Sequence, residues 1–439
     1  MRPAALALSA LLSATVCAAE PLGESDRKLA RDLFEELIEI NTSHSVGDTT
    51  AAAEAMAKRL RAAGFAKGDV AVLGPRAKRG NLVARLRGNG TLKPVLIIVH
   101  LDVVEARRED WTTDPFQFVE KDGYFYGRGT QDIKNMAAIA TATMIRFKRE
   151  GFVPARDIIL ALTADEEGGA DNGVDWLLKN RRELVDAEFV LNPDSGGINS
   201  VGGKPVNLEV AAAEKVYADY EFGAKNPGGH SSQPRPQNAI YQLASALERL
   251  HRSPFPFELN PVTRVYFEHL AKVQQGQVAA DMRAILGKTP DAKAIGRLSQ
   301  DPAWNSTLHT TCVATRLAGG HANNALPQAA TATVNCRILP GHSPEEVRRE
   351  LVRIAADPDV TVRYIHSKTD ERLDVAPDTM PMSPPPPRAD VFDALRRAVD
   401  ARWPALPIIP TMMTGASDSV FTVAARIPTY GFSGVAVDR

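Results

Sequence analysis

The sequence predicts an α/β fold: a mixed, mainly parallel sheet with helices on both faces, plus an inserted ferredoxin-like α+β domain. Three observations predict it. Short β-branched and aliphatic runs alternate with helical stretches through the first half, as strands joined by crossover helices do. Near Pro205 the pattern changes to longer alternating strands in the order β-α-β-β-α-β, once a helical insert is set aside. The first pattern returns after Pro381 to Pro387, a stiff proline-rich connector. The expected organisation is an export signal over 1–19, a main domain over 20–206 and 369–439, and an inserted domain over 207–368.

Composition sets the outer limits. The chain has 439 residues, 44% of them apolar, enough for two cored domains. A net charge of −1 gives no electrostatic footprint for nucleic acid or an anionic membrane. Arg2, the apolar run Ala4 to Val16 and the small residues Cys17, Ala18 and Ala19 read as an export signal, cleaved after Ala18 or Ala19. The run is too short for a stable membrane anchor, so a periplasmic or secreted product is expected. Cleavage leaves Cys312 and Cys336, either disulfide-bonded or as buried free thiols.

Helical periodicity covers Asp26 to Ile40 and Thr49 to Ala63, the second stopped by Gly64. Asn81 to Arg87 alternates as a strand, and Gly88-Asn89-Gly90 turns into the central strand beginning at Pro94. Ile133 to Arg149 is a helix, Asp157 to Thr163 a buried strand, Val174 to Leu184 a helix and Glu188 to Leu191 a short strand. In the inserted domain, strands are expected at Asn207 to Phe222, Leu308 to Leu317, Ala330 to Leu339 and Val360 to His366. Helices are expected at Asn238 to His251 and Ser343 to Ala356, with Pro261 to Leu286 mostly helical. Ser343 and Glu346 form a capping box for the helix they open. Phe392 to Arg402 is helical, Thr411 to Ser419 a polar loop and Thr429 to Phe432 a strand.

The central run Val-Leu-Ile-Ile-Val ends in His100-Leu101-Asp102. Residues two apart on a strand share a face, so His100 and Asp102 point the same way at a carboxyl end. Asp132 precedes a helix, Glu166 and Glu167 follow the strand ending at Thr163, and Asp194 follows the strand ending at Leu191. Parallel strands bring such ends to one edge, where open α/β sheets bind ligands. Singly, each residue has an ordinary explanation as a cap, a turn or a hydrogen-bonded core group. Together they would repel one another unless cations sat among them. One histidine with several carboxylates and no cysteine suits zinc or another divalent first-row metal, and the number of ligands suggests two ions.

The motifs His100-Leu101-Asp102, Gly127-Arg128-Gly129 through Asp132-Ile133-Lys134, Ala164-Asp165-Glu166-Glu167-Gly168, Gly229-His230-Ser231-Ser232-Gln233-Pro234 and Thr414-Gly415-Ala416-Ser417-Asp418 together resemble the aminoacylase/carboxypeptidase family of di-zinc metallopeptidases. That resemblance implies a zinc-peptidase-like main domain with the inserted domain as its lid. It implies that His100 and Asp194 hold one metal and that Asp132 bridges two. Glu167 would hold the second metal with a histidine near the family's C-terminus. Asp102 would fix the His100 imidazole. Glu166 would be the general base on a metal-bridged water, and His230 the donor to the developing oxyanion. Asn323, Arg337, Gly415 and Ser417 would contact substrate, Arg337 on a carboxylate. A cis peptide between Asp132 and Ile133 and a homodimer through the lid are also implied.

None of the nine histidines lies after the Thr414 to Ser419 loop, where the family places its last ligand. The sequence therefore reads as ending in mid-loop, short of that ligand, and the lid as longer than the compact family version. The leading expectation is an exported zinc peptidase of carboxypeptidase or dipeptidase type. The alternatives are an N-acyl-amino-acid hydrolase and a non-catalytic binding relative lacking the last ligand.

Overall fold

The computed structural model describes residues 22–168, 171–367, 369–378 and 384–438. The export signal and the first residues of the proline-rich connector lie outside them. Val95–His100 sits within a six-stranded sheet ordered Val70–Leu73, Asn81–Leu86, Ile158–Thr163, Val95–His100, Phe189–Leu191 and Thr429–Tyr430. The last four run parallel, and Asn81–Leu86 is antiparallel to both its neighbours. On one face, Leu82, Val99, Leu160 and Leu162 pack under Leu33, Met56 and Ile145 of three helices, Glu24–Glu39, Thr49–Ala62 and Lys134–Arg149. On the other face, Leu96, Ile98, Ile159 and Ala161 pack under Val174 and Leu177 of the helix Gly173–Asn180. Burial on both faces is why these strands read as continuous apolar runs.

The lid is a five-stranded antiparallel sheet ordered Thr311–Gly319, Ala329–Ile338, Val216–Lys225, Val360–Ile365 and Arg372–Leu373. Its first four strands follow the ferredoxin-like order. The helices Ala239–Arg252 and Pro344–Ala355 cover it through Leu243, Ala246 and Leu351 against Tyr220, Phe222 and Val334. The Ser343–Glu346 capping box forms as expected. Cys312 and Cys336 are directly opposed in register and joined by a disulfide.

Several elements depart from expectation. The single strand expected over 207–222 is two. Lys204–Glu214 belongs to a separate four-stranded sheet with Ile408–Met413, Gly197–Val201 and Ala436–Asp438, whereas Val216–Lys225 joins the lid. The break falls at Lys215, which is buried. Period-two alternation continues through it, so no sequence signal marks it. Thr411, expected in a loop, lies instead in the strand Ile408–Met413, because its backbone pairs with Ala211. Ala436–Asp438, expected as loop, pairs parallel with Ile198 to Ser200. The helix expected over 174–184 breaks at Arg181, where φ is −145°. Glycine at 431 gives close approach: a Cβ there would lie 1.8 Å from Ser195 Oγ, so any larger residue would force that side chain to move.

The lid insert is four helices, Pro261–Val273, Gly276–Ile285, Ala292–Leu298 and Pro302–Leu308. They share a small core of Phe267, Met282, Ile285, Leu298 and Leu308. Val262 of the first helix packs on Ala213, Leu339 and Met412, where the lid meets the four-stranded sheet. No helix among the described residues is long and apolar enough to cross a membrane.

Candidate metal centre

The parallel strands deliver their carboxyl ends to one edge. His100 closes its strand and is 2% exposed. Its Nδ1 lies 2.9 Å from the Asp102 backbone carbonyl, which fixes that nitrogen as the donor. Nε2 is left facing Asp132 Oδ1 at 3.0 Å and Asp194 Oδ1 at 3.7 Å. The Asp102 carboxylate does a different job. Its oxygens accept the N–H groups of Glu166 (3.1 Å) and Glu167 (3.0 Å). That bond pair holds the glutamate turn against the histidine strand.

Asp165, just before the glutamates, is in the left-handed region at φ 58°. It is buried, and its carboxylate lies 2.9 Å from Arg79 Nε. A non-glycine residue in this conformation costs about 1 kcal/mol or more and is held by its surroundings. Asp132 is placed from the other side. Lys134, two residues on, is fully buried and donates to the carbonyls of Leu37 (2.8 Å) and Ile40 (2.7 Å) at the end of the first helix. No cis peptide occurs among the described residues, so the bond expected to be cis between Asp132 and Ile133 is trans. Its turn is closed by the Lys134 N–H on the Gly129 carbonyl at 3.0 Å.

Two sets of side chains have ligand atoms within 4.8 Å of one another: His100, Glu166 and Asp194, and His100, Asp132 and Glu167. Both are oxygen-rich with one imidazole, a donor set that suits a divalent first-row cation. Their electrostatics are those of crowded acids. Burial, then the Asp418 carboxylate, pushes Glu166 up to about 9. Burial and Asp132 raise Glu167 to about 7. Burial alone would lower His100, but the hydrogen bond with Asp132 and the nearby Asp194 carboxylate outweigh it and hold the imidazole well above its usual range. Asp132 is lowered by its hydrogen bond with His100. Such an assembly stores protons that a cation would displace.

The other expected site residues lie elsewhere. Gly229–His230, exposed, and Ala325–Leu326, half-buried, form a two-stranded ribbon, and the His230 ring bonds Ser232 Oγ at 2.7 Å. Asn323 is exposed at the foot of that ribbon. Arg337 lies on a lid strand with its guanidinium 4.6 Å from the Tyr217 ring centre. Gly415 is half-exposed and unobstructed. Ser417 is buried and bonded to Glu214 and Asn192, so its backbone is not free to line a pocket. Sequence reasoning passed over the groups behind the cluster. Asp418 is buried and accepts hydrogen bonds from Asn172 Nδ2 (2.6 Å) and Thr163 Oγ1 (3.3 Å). Burial raises it to about 7. Its position inside the Thr414 to Asp418 motif was the available signal. Glu214 carried none, being one more residue of an alternating strand.

A crowded acid-and-imidazole cluster at the strand ends of an α/β sheet, beside a ferredoxin-like lid, defines a metal-dependent hydrolase. The comparisons agree. The model of Peptidase family M20/M25/M40 matches residues 96–438, and the chain belongs to that family. The N-fatty-acyl-amino acid synthase/hydrolase PM20D1 of Homo sapiens is 30% identical over 355 residues, 78% of this chain and 67% of that protein. A probable carboxypeptidase S-like 2 of Dictyostelium discoideum is 28% identical over 344 residues, 75% of this chain and 62% of its own length. The chain thus spans about two thirds of the length of the curated relatives it matches. The crystal structure of an M20 family metallo-carboxypeptidase from Sulfolobus solfataricus superposes with a TM-score of 0.63 at 16% identity, covering 94% of this chain and 91% of that one.

Proposed function

We propose that the chain hydrolyses the amide bond of N-acyl amino acids, with two divalent ions, zinc by ligand preference, held at the strand-end cluster. The carrying observation is the convergence of His100, Asp132, Glu166, Glu167 and Asp194 from separate loops. His100, Asp132 and Asp194 would hold one ion, and Asp132 and Glu167 the other. When bound, such ions make nearby water more acidic and neutralise the crowded carboxylates. Glu166 is the general base: it takes the proton of the attacking water and passes it to the leaving nitrogen. Cations bound beside it would lower the proton affinity that burial and neighbouring acids raise in the metal-free fold, freeing Glu166 to act as a base, and Asp102 aims it through the backbone. His230 would donate to the oxyanion and Arg337 would pair with the substrate carboxylate once the lid swings over the cluster.

Similarity to the human N-fatty-acyl-amino acid synthase/hydrolase favours N-acyl amino acids over the dipeptides that the sequence alone put first. The carboxypeptidase S-like relative keeps small peptides as the second reading. A panel of N-acyl amino acids and dipeptides, with metal content measured per chain, tests both. Turnover unaffected by a chelator would reject the metal reading. The Cys312–Cys336 disulfide supports export to an oxidising compartment. The exposed lid edge strand Thr311–Gly319, with Leu317 73% exposed, supports a homodimer through the lid.

A further inference from the structure

The chain crosses from the four-stranded sheet to the lid at Glu214, the last residue of its strand, and Lys215, and their side chains are tied to different bodies. Lys215 is fully buried, and its Nζ donates to the carbonyls of Ser306 (2.8 Å) and His309 (2.7 Å) and to Thr311 Oγ1 (3.2 Å). Those acceptors belong to the end of the helical insert and the start of the lid edge strand. Glu214 is tied the other way. Its carboxylate accepts the Ser417 N–H (3.0 Å) and the Ser417 hydroxyl (2.6 Å). Having given its proton to Glu214, Ser417 Oγ accepts from Asn192 Nδ2 at 3.1 Å. Asn192 Oδ1 in turn accepts the N–H of Asp194 at 3.1 Å. A continuous run of hydrogen bonds thus joins the last residue of the sheet strand to the turn that carries Asp194.

A cavity of about 70 Å³ borders this crossover, lined by Ala213, Glu214, Val216, Pro340 and Ser419 among others. On the sheet side the pivot is pinned, because the Lys215 N–H donates to the Met413 carbonyl at 3.0 Å. Side-chain ties to different bodies on either side of a one-residue crossover between two sheets are the geometry of a hinge.

We propose that Glu214 and Lys215 form a hinge that transmits the position of the lid to Asp194, with Glu214 a positioning residue for the metal site. The proposal rests on the reading of Asp194 as a ligand. Movement of the insert pulls on Lys215. The adjoining Glu214 then shifts Ser417 and Asn192, and the Asp194 turn tightens or slackens. Metal affinity and lid closure are thereby coupled.

Hydrogen exchange on the full, metal-free chain tests this without relying on turnover. Glu214→Gln and Lys215→Met should each speed exchange of the Asn192 to Ser195 amides by about tenfold, the loss of one buried hydrogen bond. The double variant should be no faster than either single one, since both cut the same path. Lys215→Arg, which keeps the donors, should restore native exchange and serves if Lys215→Met does not fold. Zinc affinity, read by competition with a chromogenic chelator, should fall about tenfold in Lys215→Met, whose side chain touches no member of the cluster. Unchanged exchange at 192–195 in folded Lys215 variants, or additive effects in the double variant, overturns the hinge. A native chain that binds no zinc rejects Asp194 as a ligand, while the exchange result still decides whether the hinge exists.

Discussion

The strand-end cluster and the lid ribbon are built on opposite plans. The cluster is assembled already: His100 is locked by a backbone carbonyl, and the two glutamates are clamped by Asp102. The ribbon is not. His230 and Asn323 stand exposed, and the His230 ring is engaged by its own neighbour Ser232. On the proposed function, holding cations would need only the edge of one sheet, whereas hydrolysis would also need a rigid-body approach of the lid.

That contrast can be broken from either side. The largest effect is expected for Glu166→Gln, which should lower kcat by about 10²–10⁴-fold while metal content stays at the native level. Since Glu166 also belongs to a possible ligand set, loss of metal in that variant would reassign it from base to ligand. His230→Ala should lower kcat by about 10²–10³-fold and leave zinc affinity unchanged. A fall in zinc affinity would mean that the ribbon is part of the cluster after all. Asp102→Asn should weaken metal binding by about 10–100-fold, read by chelator competition, because one side of the glutamate clamp becomes a donor facing a donor.

The smallest effect is on pH dependence. In the metal-free fold Glu166 titrates near 9, against an ordinary 4.5. Between those values the folded chain keeps a proton that the unfolded chain gives up. Its contribution to stability is therefore complete below about pH 4.5 and is lost as the pH rises toward about 9. Denaturant melts of the metal-free chain across that window should show the decline. Adding zinc near neutrality should release protons to an indicator dye. A flat profile with no release would place Glu166 in solvent rather than in the cluster.

The same division explains what the sequence could reveal. Apolar runs buried on both faces announced the parallel strands, and the polar residues at their ends announced His100, Glu166, Glu167 and Asp194, whereas Asp132 was marked only by its place before a helix. Those inferences need only strand periodicity and the rule that parallel ends converge. The parting of the strand at Lys215 was hidden because alternation is identical in both sheets. Glu214 and Asn192 were hidden because their partners lie far along the chain: Ser417 is 203 residues from Glu214 and 225 from Asn192. His230, Asn323 and Arg337 were accessible only through family resemblance. Nothing local distinguishes a ribbon histidine from any other loop histidine.

Asp165 has one more consequence. A routine thermostabilisation campaign would pick it out, since glycine at φ 58° relieves backbone strain. Here the exchange would strip the counter-charge from Arg79, which is only 5% exposed. An orphaned guanidinium in the interior costs more than the relaxed turn returns. Laboratory evolution toward heat tolerance is therefore expected to leave this aspartate alone and to accumulate its gains on the outer faces of the lid.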